Sequence, residues 1–276
     1  MKISDQLITS RNNELVKWAA SLTVKKSREA SRSFIAEGEK LSFEALETGL
    51  PVSHIFVLEE KKTQIFPKLL KYTESQIYRD TVVQVLSLSA FSKISTETSP
   101  QGVISVIKYL DFFKDVDIIY KEEFSKFENE RILFLSSIRD PGNLGAVIRS
   151  AAAFGIDHVI LSSDSADLYN SKTVRSAMGS LFRIKTTYVS DPIGTVRELI
   201  KAGRRVFSAE LRENAISIFD AKLNSSDVVI IGNEGHGIDI ALSSESSGSV
   251  YIPISKNTES LNAAVAAAIF MWEICK

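Results

Sequence analysis

The sequence almost lacks cysteine: Cys275 is alone among 276 residues. One thiol excludes an intramolecular disulfide framework and a cysteine-based zinc site, and Cys275 reads as a buried or incidental thiol. No metal is expected. Long apolar runs are missing too, since none reaches the roughly 18 residues of a membrane span. The opening Met1-Lys-Ile-Ser-Asp5 has no signal-peptide apolar core, so the expected location is the cytoplasm, with no membrane partner. No 20–50-residue repeat or low-complexity tract is present. Charge of one sign is also absent: 33 Lys and Arg stand against 34 Asp and Glu, a net of −1.

That near-neutral total hides a division along the chain. Residues 1–110 hold 15 basic and 12 acidic side chains, 111–130 hold 3 and 7, and 131–276 hold 15 and 15. A small local positive excess suits a protein that meets a few phosphates and does not coat a duplex. The basic cluster Lys25, Lys26, Arg28 and Arg32 is the candidate nucleic-acid contact in the first region, and a charged helix face is the equal alternative.

The pattern divides the same way. Residues 1–110 read as a small mixed α/β domain. Helical spacing covers Asn13–Leu22, Glu39–Thr48 and Gln64–Tyr72, and strands are expected at His54–Leu58 and Gln101–Ile107. Short extended pieces are expected at Gln76–Tyr78 and Thr81–Val85. Residues 111–130 read as a connector too aromatic for a flexible tether. In 131–276 strands at Arg131–Ser136, His158–Ser162, Arg183–Val189, Arg205–Ala209, Asp227–Gly232 and Val250–Ile254 alternate with helical patterns at Asn143–Phe154, Ser171–Met178, Pro192–Ala202 and Ser260–Ile274. Such alternation predicts an α/β fold with a largely parallel sheet covered on both faces.

Three segments of this second region carry polar groups where helices begin. In Asp140-Pro-Gly-Asn-Leu-Gly-Ala-Val-Ile-Arg149, Asn143 is a candidate N-cap. Arg149 has only small neighbours at helical spacing, namely Gly145, Ala146, Ala152 and Ala153. Its guanidinium can reach past the helix to phosphate or ribose oxygens, or simply lie over small residues at the surface. Gly232-Asn-Glu-Gly-His-Gly237 follows a buried strand, and its glycines allow a close backbone approach; a plain strand-to-helix turn has the same composition. His236 reads as a turn or surface histidine. In the third segment, Tyr251-Ile-Pro253 ends a strand and Ser260-Leu-Asn262 opens an alanine-rich helix. Ser260 is explained by ordinary capping, whereas Asn262, a poor helix former in the first turn, is expected to bond locally or to a ligand. The helix that follows is apolar nearly all round, which suits a dimer contact.

In order and spacing these segments resemble the three motifs of the SpoU/TrmH family of RNA ribose 2′-O-methyltransferases. Ile8-Thr-Ser-Arg-Asn-Asn13, Phe34-Ile-Ala-Glu-Gly-Glu-Lys40 and Pro100-Gln-Gly-Val103 resemble the N-terminal substrate-binding domain of its ribosomal-RNA members. The resemblance implies a trefoil-knotted parallel-sheet methyltransferase domain at 131–276 behind a smaller RNA-binding domain at 1–110, in a homodimer. It implies S-adenosyl-L-methionine as methyl donor and RNA as partner, ribosomal RNA before transfer RNA. It gives Asn143, Arg149, Glu234, Ser260 and Asn262 catalytic roles, and it puts Gly232, Ile252 and Leu261 against the donor. One departure stands out: Ile254 and Lys256 occupy positions where the family often has methionine and glycine. That departure keeps open a noncatalytic RNA-binding or ribosome-assembly protein with the same fold. A knotted base methyltransferase would share the donor, but the Asn143/Arg149 and Ser260/Asn262 sets argue for ribose.

Overall fold

The computed structural model describes residues 1–110, the backbone of 113–116, and 130–276. Apart from that short backbone stretch and Glu130, the expected connector lies outside the described residues. The chain forms two compact units, one of Met1–Leu110 with Tyr169–Phe182, the other of Asp111–Leu168 with Arg183–Lys276.

The first unit is built on a five-stranded sheet. Its order is β1 (Lys2–Ile8), β4 (Val82–Leu86), β3 (Val52–Leu58), β5 (Val103–Lys108), β2 (Ser33–Glu37). β1, β4 and β3 run parallel, and β5 runs antiparallel to both β3 and β2, so the sheet is mixed. Helix α1 (Glu14–Ser21) begins where the Asn13 side chain accepts from the backbone N–H of Leu15 at 2.9 Å. Its Val16 and Ala19 pack with Phe91 and Ile94 of α5 (Leu88–Ile94) over Phe56, Leu86 and Ile104 of the sheet. Each such large apolar side chain contributes about 1.5–3 kcal/mol. β1 and α5 went unread in the sequence, and Gln76–Tyr78, expected extended, is a single 3₁₀ turn. Tyr78 is buried there and its hydroxyl donates to the Leu46 carbonyl at 2.6 Å, which holds the chain in a turn.

Tyr169–Phe182, which sequence order places in the C-terminal region, packs in this first unit. The Tyr169 ring stacks on Tyr109 with centroids 4.0 Å apart and meets Phe34 at 4.6 Å, and its hydroxyl accepts from the Leu110 N–H at 2.9 Å.

The second unit carries an eight-stranded sheet, all of whose pairs are parallel. The order is β11 (Ile216–Ser217), β13 (Gly248–Tyr251), β10 (Val206–Ala209), β12 (Val228–Ile231), β7 (Ile132–Leu135), β8 (His158–Ser162), β9 (Lys185–Val189), β6 (Phe113–Val116). Every residue of β7, β8 and β12 is buried, so helices cover both faces. Val196 and Leu199 of α8 (Pro192–Lys201) pack with Leu242 of α9 (Ile240–Ser244) on Ile132, Phe134 and Ile230. Helices α6 (Pro141–Phe154) and α10 (Ala263–Cys275) lie side by side, with Phe154 and Trp272 edge to face at 6.0 Å. After β7 the chain moves outward through β8 and β9, then crosses back to build β10, β12 and β13 on the other side. β7 and β12 are therefore neighbours at the point where the strand order reverses, the usual place for a ligand crevice at the carboxyl ends of the strands.

The basic cluster needs one correction. Helix α2 (Lys25–Ser31) leaves Lys25, Lys26 and Arg32 exposed, but Arg28 is only 2% exposed. Its guanidinium donates to the carbonyls of Leu22 and Thr23 at 2.9 and 2.8 Å, bracing the turn from α1 into α2. Arg28 thus belongs to the fold. Replacing it with methionine should lower stability by about 2–4 kcal/mol, since each hydrogen bond to a charged group contributes roughly 1.5–3 kcal/mol; urea unfolding of wild type and variant measures the difference.

Candidate active site

Residues from all three sequence segments meet at the carboxyl ends of β7 and β12. The meeting depends on which residue caps α6. The sequence made Asn143 the candidate cap, but Asp140 takes that position and its carboxylate accepts from the Asn143 N–H at 2.8 Å. Asn143 sits inside the first turn with its side chain released. Its amide nitrogen donates to Glu234 Oε1 at 2.5 Å, and its amide oxygen accepts from Asn262 Nδ2 at 3.0 Å.

The third segment corrects in the same direction. Helix α10 starts at Ala263, and its cap is Asn262, whose Oδ1 accepts from the N–H groups of Ala264 and Val265 at 3.0 and 3.3 Å. Ser260 lies two residues before that cap, exposed. Asn262 therefore bonds locally through its oxygen, as expected, and reaches across the site to Asn143 through its nitrogen. Arg149 is not brought into this group by its own chain. It stands six residues beyond Asn143 in α6, about 240° around the helix. It is exposed and makes no hydrogen bond or ion pair with the described residues.

The second segment makes a tight reversal. Asn233 and Gly237 exchange backbone hydrogen bonds at 2.9 and 3.0 Å, and Gly237 takes a φ of 69°. A Cβ on Gly232 would lie 2.5 Å from the Gly237 carbonyl carbon, so only glycine fits. The Asn233 side chain, which the sequence reading passed over, ties the turn down. Its oxygen accepts from the N–H groups of Gly235 and His236, and its nitrogen donates to the Ser137 carbonyl at 2.8 Å. Ser137 is itself held in a positive φ of 57°. Its hydroxyl donates to Asp164 at 2.7 Å, and its N–H donates to Ser162 Oγ at 2.7 Å. Burial alone would raise the Asp164 carboxyl, but hydrogen bonds from Ser162 and Ser137 together with Arg139 outweigh it and hold it below the usual carboxylate range. His236 is exposed in the turn, as expected.

Beside this group opens a cavity of about 770 Å³. Gly232, Ile252 and Leu261 line it, together with Glu234, Ser260 and Lys256. Lys256 has no positive φ, so the loop needs no glycine there. The ends of strands β10, β12 and β13 form one wall, and Ala263, Ala266 and Phe270 of α10 form another.

The model of the SpoU rRNA Methylase family matches residues 130–272, and that of the MRM3-like substrate binding domain matches 13–105. The chain belongs to the SpoU rRNA methylase family. Over 97% of its length this SpoU chain is 34% identical to the 23S rRNA (guanosine(2553)-2′-O)-methyltransferase RlmP of Bacillus subtilis, covering 98% of that protein. It is 29% identical to the 23S rRNA (uridine(2479)-2′-O)-methyltransferase of Streptomyces viridochromogenes, over 96% of this chain and 90% of that one. Among solved structures, the AdoMet-bound rRNA methyltransferase of Sinorhizobium meliloti superposes with a TM-score of 0.80 at 29% identity, covering 98% of this chain and 97% of that one.

Two consequences of this SpoU geometry can be measured. Gly232→Ala should destabilise the protein by about 1–3 kcal/mol through overpacking and cut affinity for S-adenosylhomocysteine, read by calorimetry. Asp164, with its pKa depressed on folding, contributes stability that is full above the unfolded carboxylate value near 4 and is lost as pH falls through the lower folded value. The stability gap between wild type and Asp164→Asn should therefore close on acidification toward pH 2.

Proposed function

We infer that this protein transfers a methyl group from S-adenosyl-L-methionine to a ribose 2′-hydroxyl of ribosomal RNA. The observation that carries the reading is the hydrogen-bonded run Asn262–Asn143–Glu234 at the mouth of a nucleoside-sized cavity. The names of the relatives, rRNA 2′-O-methyltransferases that act on guanosine in one case and uridine in another, support the reaction and the class of substrate.

The cavity suits the donor on its own terms. Gly232 lines it without a side chain, at a turn that closes on Gly237 too tightly for one, and Ile252 and Leu261 supply apolar walls for a purine. When bound, the donor supplies an electrophilic methyl on a sulfonium sulfur. The chain's own groups then have three tasks. Asn143 and Asn262 hold Glu234 in one geometry, and positioning of that kind can provide on the order of 7–11 kcal/mol of a barrier. Ser260, exposed at the cavity rim, is assigned to substrate contact. A guanidinium carries five N–H donors and no acceptor, so Arg149 is not read as a general base; it orients the hydroxyl and stabilises the developing alkoxide.

The same reading makes the chain a two-domain homodimer, with RNA recognition at 1–110, catalysis at 131–276 and a trefoil-knotted path through the second region. A groove along α6 and α10, lined by Phe154, Val265 and the 61%-exposed Trp272, is the surface assigned to the second copy. Lys25, Lys26 and Arg32 are assigned to RNA. The cytoplasm is the proposed location; no described helix is long and apolar enough to cross a membrane.

Methyl transfer from labelled S-adenosylmethionine to unmodified ribosomal and transfer RNA, followed by mass spectrometry of nucleosides, tests the assignment. A 2′-O-methylnucleoside from ribosomal RNA is expected, with Arg149→Ala lowering turnover by about 10²–10³ while donor binding persists. Near-normal turnover in that variant would remove Arg149 from the mechanism.

A further inference from the structure

A carboxylate in the donor cavity has no part in the site described above. Glu210 follows β10 directly and lines the cavity, with its side chain 18% exposed. It is held from behind by a polar cluster on neighbouring elements. The Ser243 hydroxyl on α9 donates to Oε1, the Ser249 hydroxyl on β13 reaches the same oxygen at 3.5 Å, and Arg212 Nε pairs with it at 2.9 Å. Ser208, fully buried, bonds both Ser243 and Ser249 at 3.2 and 2.8 Å, which fixes their hydroxyls. All these partners converge on Oε1. Among the described residues no donor hydrogen-bonds Oε2.

We propose that Glu210 recognises the vicinal hydroxyls of the donor's ribose through Oε2. A carboxylate accepts hydrogen bonds and donates none, so its ligand must present donors, and a ribose diol presents two. Position selects the ribose over the donor's amino-acid end. The groups assigned to methyl transfer stand after β12 and at the start of α10, and the sulfonium with its amino-acid chain must lie near them. Glu210 stands at the end of the next strand, about 4.8 Å across the sheet, beside the exposed Leu211 and in the cavity that Ile252 also lines, where apolar walls suit the purine. The inference rests on the donor reading of this cavity.

Calorimetry with S-adenosylhomocysteine and its 2′-deoxy and 3′-deoxy forms provides the test, with thermal melts confirming that each variant is folded. Wild type should bind at least one deoxy form about tenfold or more weakly, the loss of one charge-assisted hydrogen bond. Glu210→Gln should bind S-adenosylhomocysteine about tenfold more weakly and lose most of that preference. Glu210→Asp keeps the charge but withdraws it by one methylene, and should do the same. A wild-type preference retained in both variants, or no preference in wild type, would overturn the assignment of Glu210 alone. Absence of any S-adenosylhomocysteine binding by wild type would overturn the donor reading as well.

Discussion

The geometry of the site depends on one amide. Asn143 accepts from Asn262 and donates to Glu234, joining its own segment to two others that lie 91 and 119 residues from it in sequence. Asparagine can do both because its carbonyl and amino groups point apart in one plane. A carboxylate there could not donate to Glu234, and a lysine could not accept from Asn262. Both bonds are exposed, where water competes for the same groups, so the run specifies geometry more than it stabilises the fold.

That amide is free only because its neighbours take over the helix ends. Asp140 caps α6 and Asn262 caps α10, each satisfying N–H groups that would otherwise compete for Asn143. A second layer holds the turn that bears Glu234. Gly232 allows the reversal to close, Asn233 ties it to Ser137, and Ser137 hangs on Asp164 beyond β8. The two loops are adjacent because β7 and β12 are adjacent, and that pairing follows from the reversal of strand order at β7. The sheet thus brings the loops together, and polar side chains set their register.

Much of this was legible in the sequence. Continuous apolar runs such as Val228–Ile231 and Ile132–Leu135 announce strands buried on both faces, and both are central in the sheet. The elements that escaped notice carry weaker patterns. Ile216–Ser217 is too short for a period, Lys2–Ile8 mixes charge into an edge strand, and Ile240–Ser244 spans little more than one turn. Caps were misplaced by two or three residues because Asp140, Asn143, Ser260 and Asn262 are all competent, and tertiary partners decide among them. Asn233 carries a signal, a side chain able to fold back on the turn, but it stands among glycines whose turn signature is the stronger one. Tyr169–Phe182 could not be assigned from order along the chain, since what holds Tyr169 is Tyr109, 60 positions earlier.

Three arginines show how the same side chain is sorted by the acceptors around it. Arg28 finds two carbonyls at the end of α1 and is buried. Arg32, four residues on, adopts a φ of 49° and lays its guanidinium 4.8 Å from the centre of the Tyr109 ring. Arg149 finds neither, because its helical neighbours are glycine and alanine, which offer no side-chain acceptor. A guanidinium needs oxygen partners that a helix of small residues withholds, so its donors stay unused among the described residues; in the proposed function, phosphate and ribose supply those oxygens. The small residues of α6 thus serve two purposes: they let α10 pack close along one face, and on another they leave an arginine unspent.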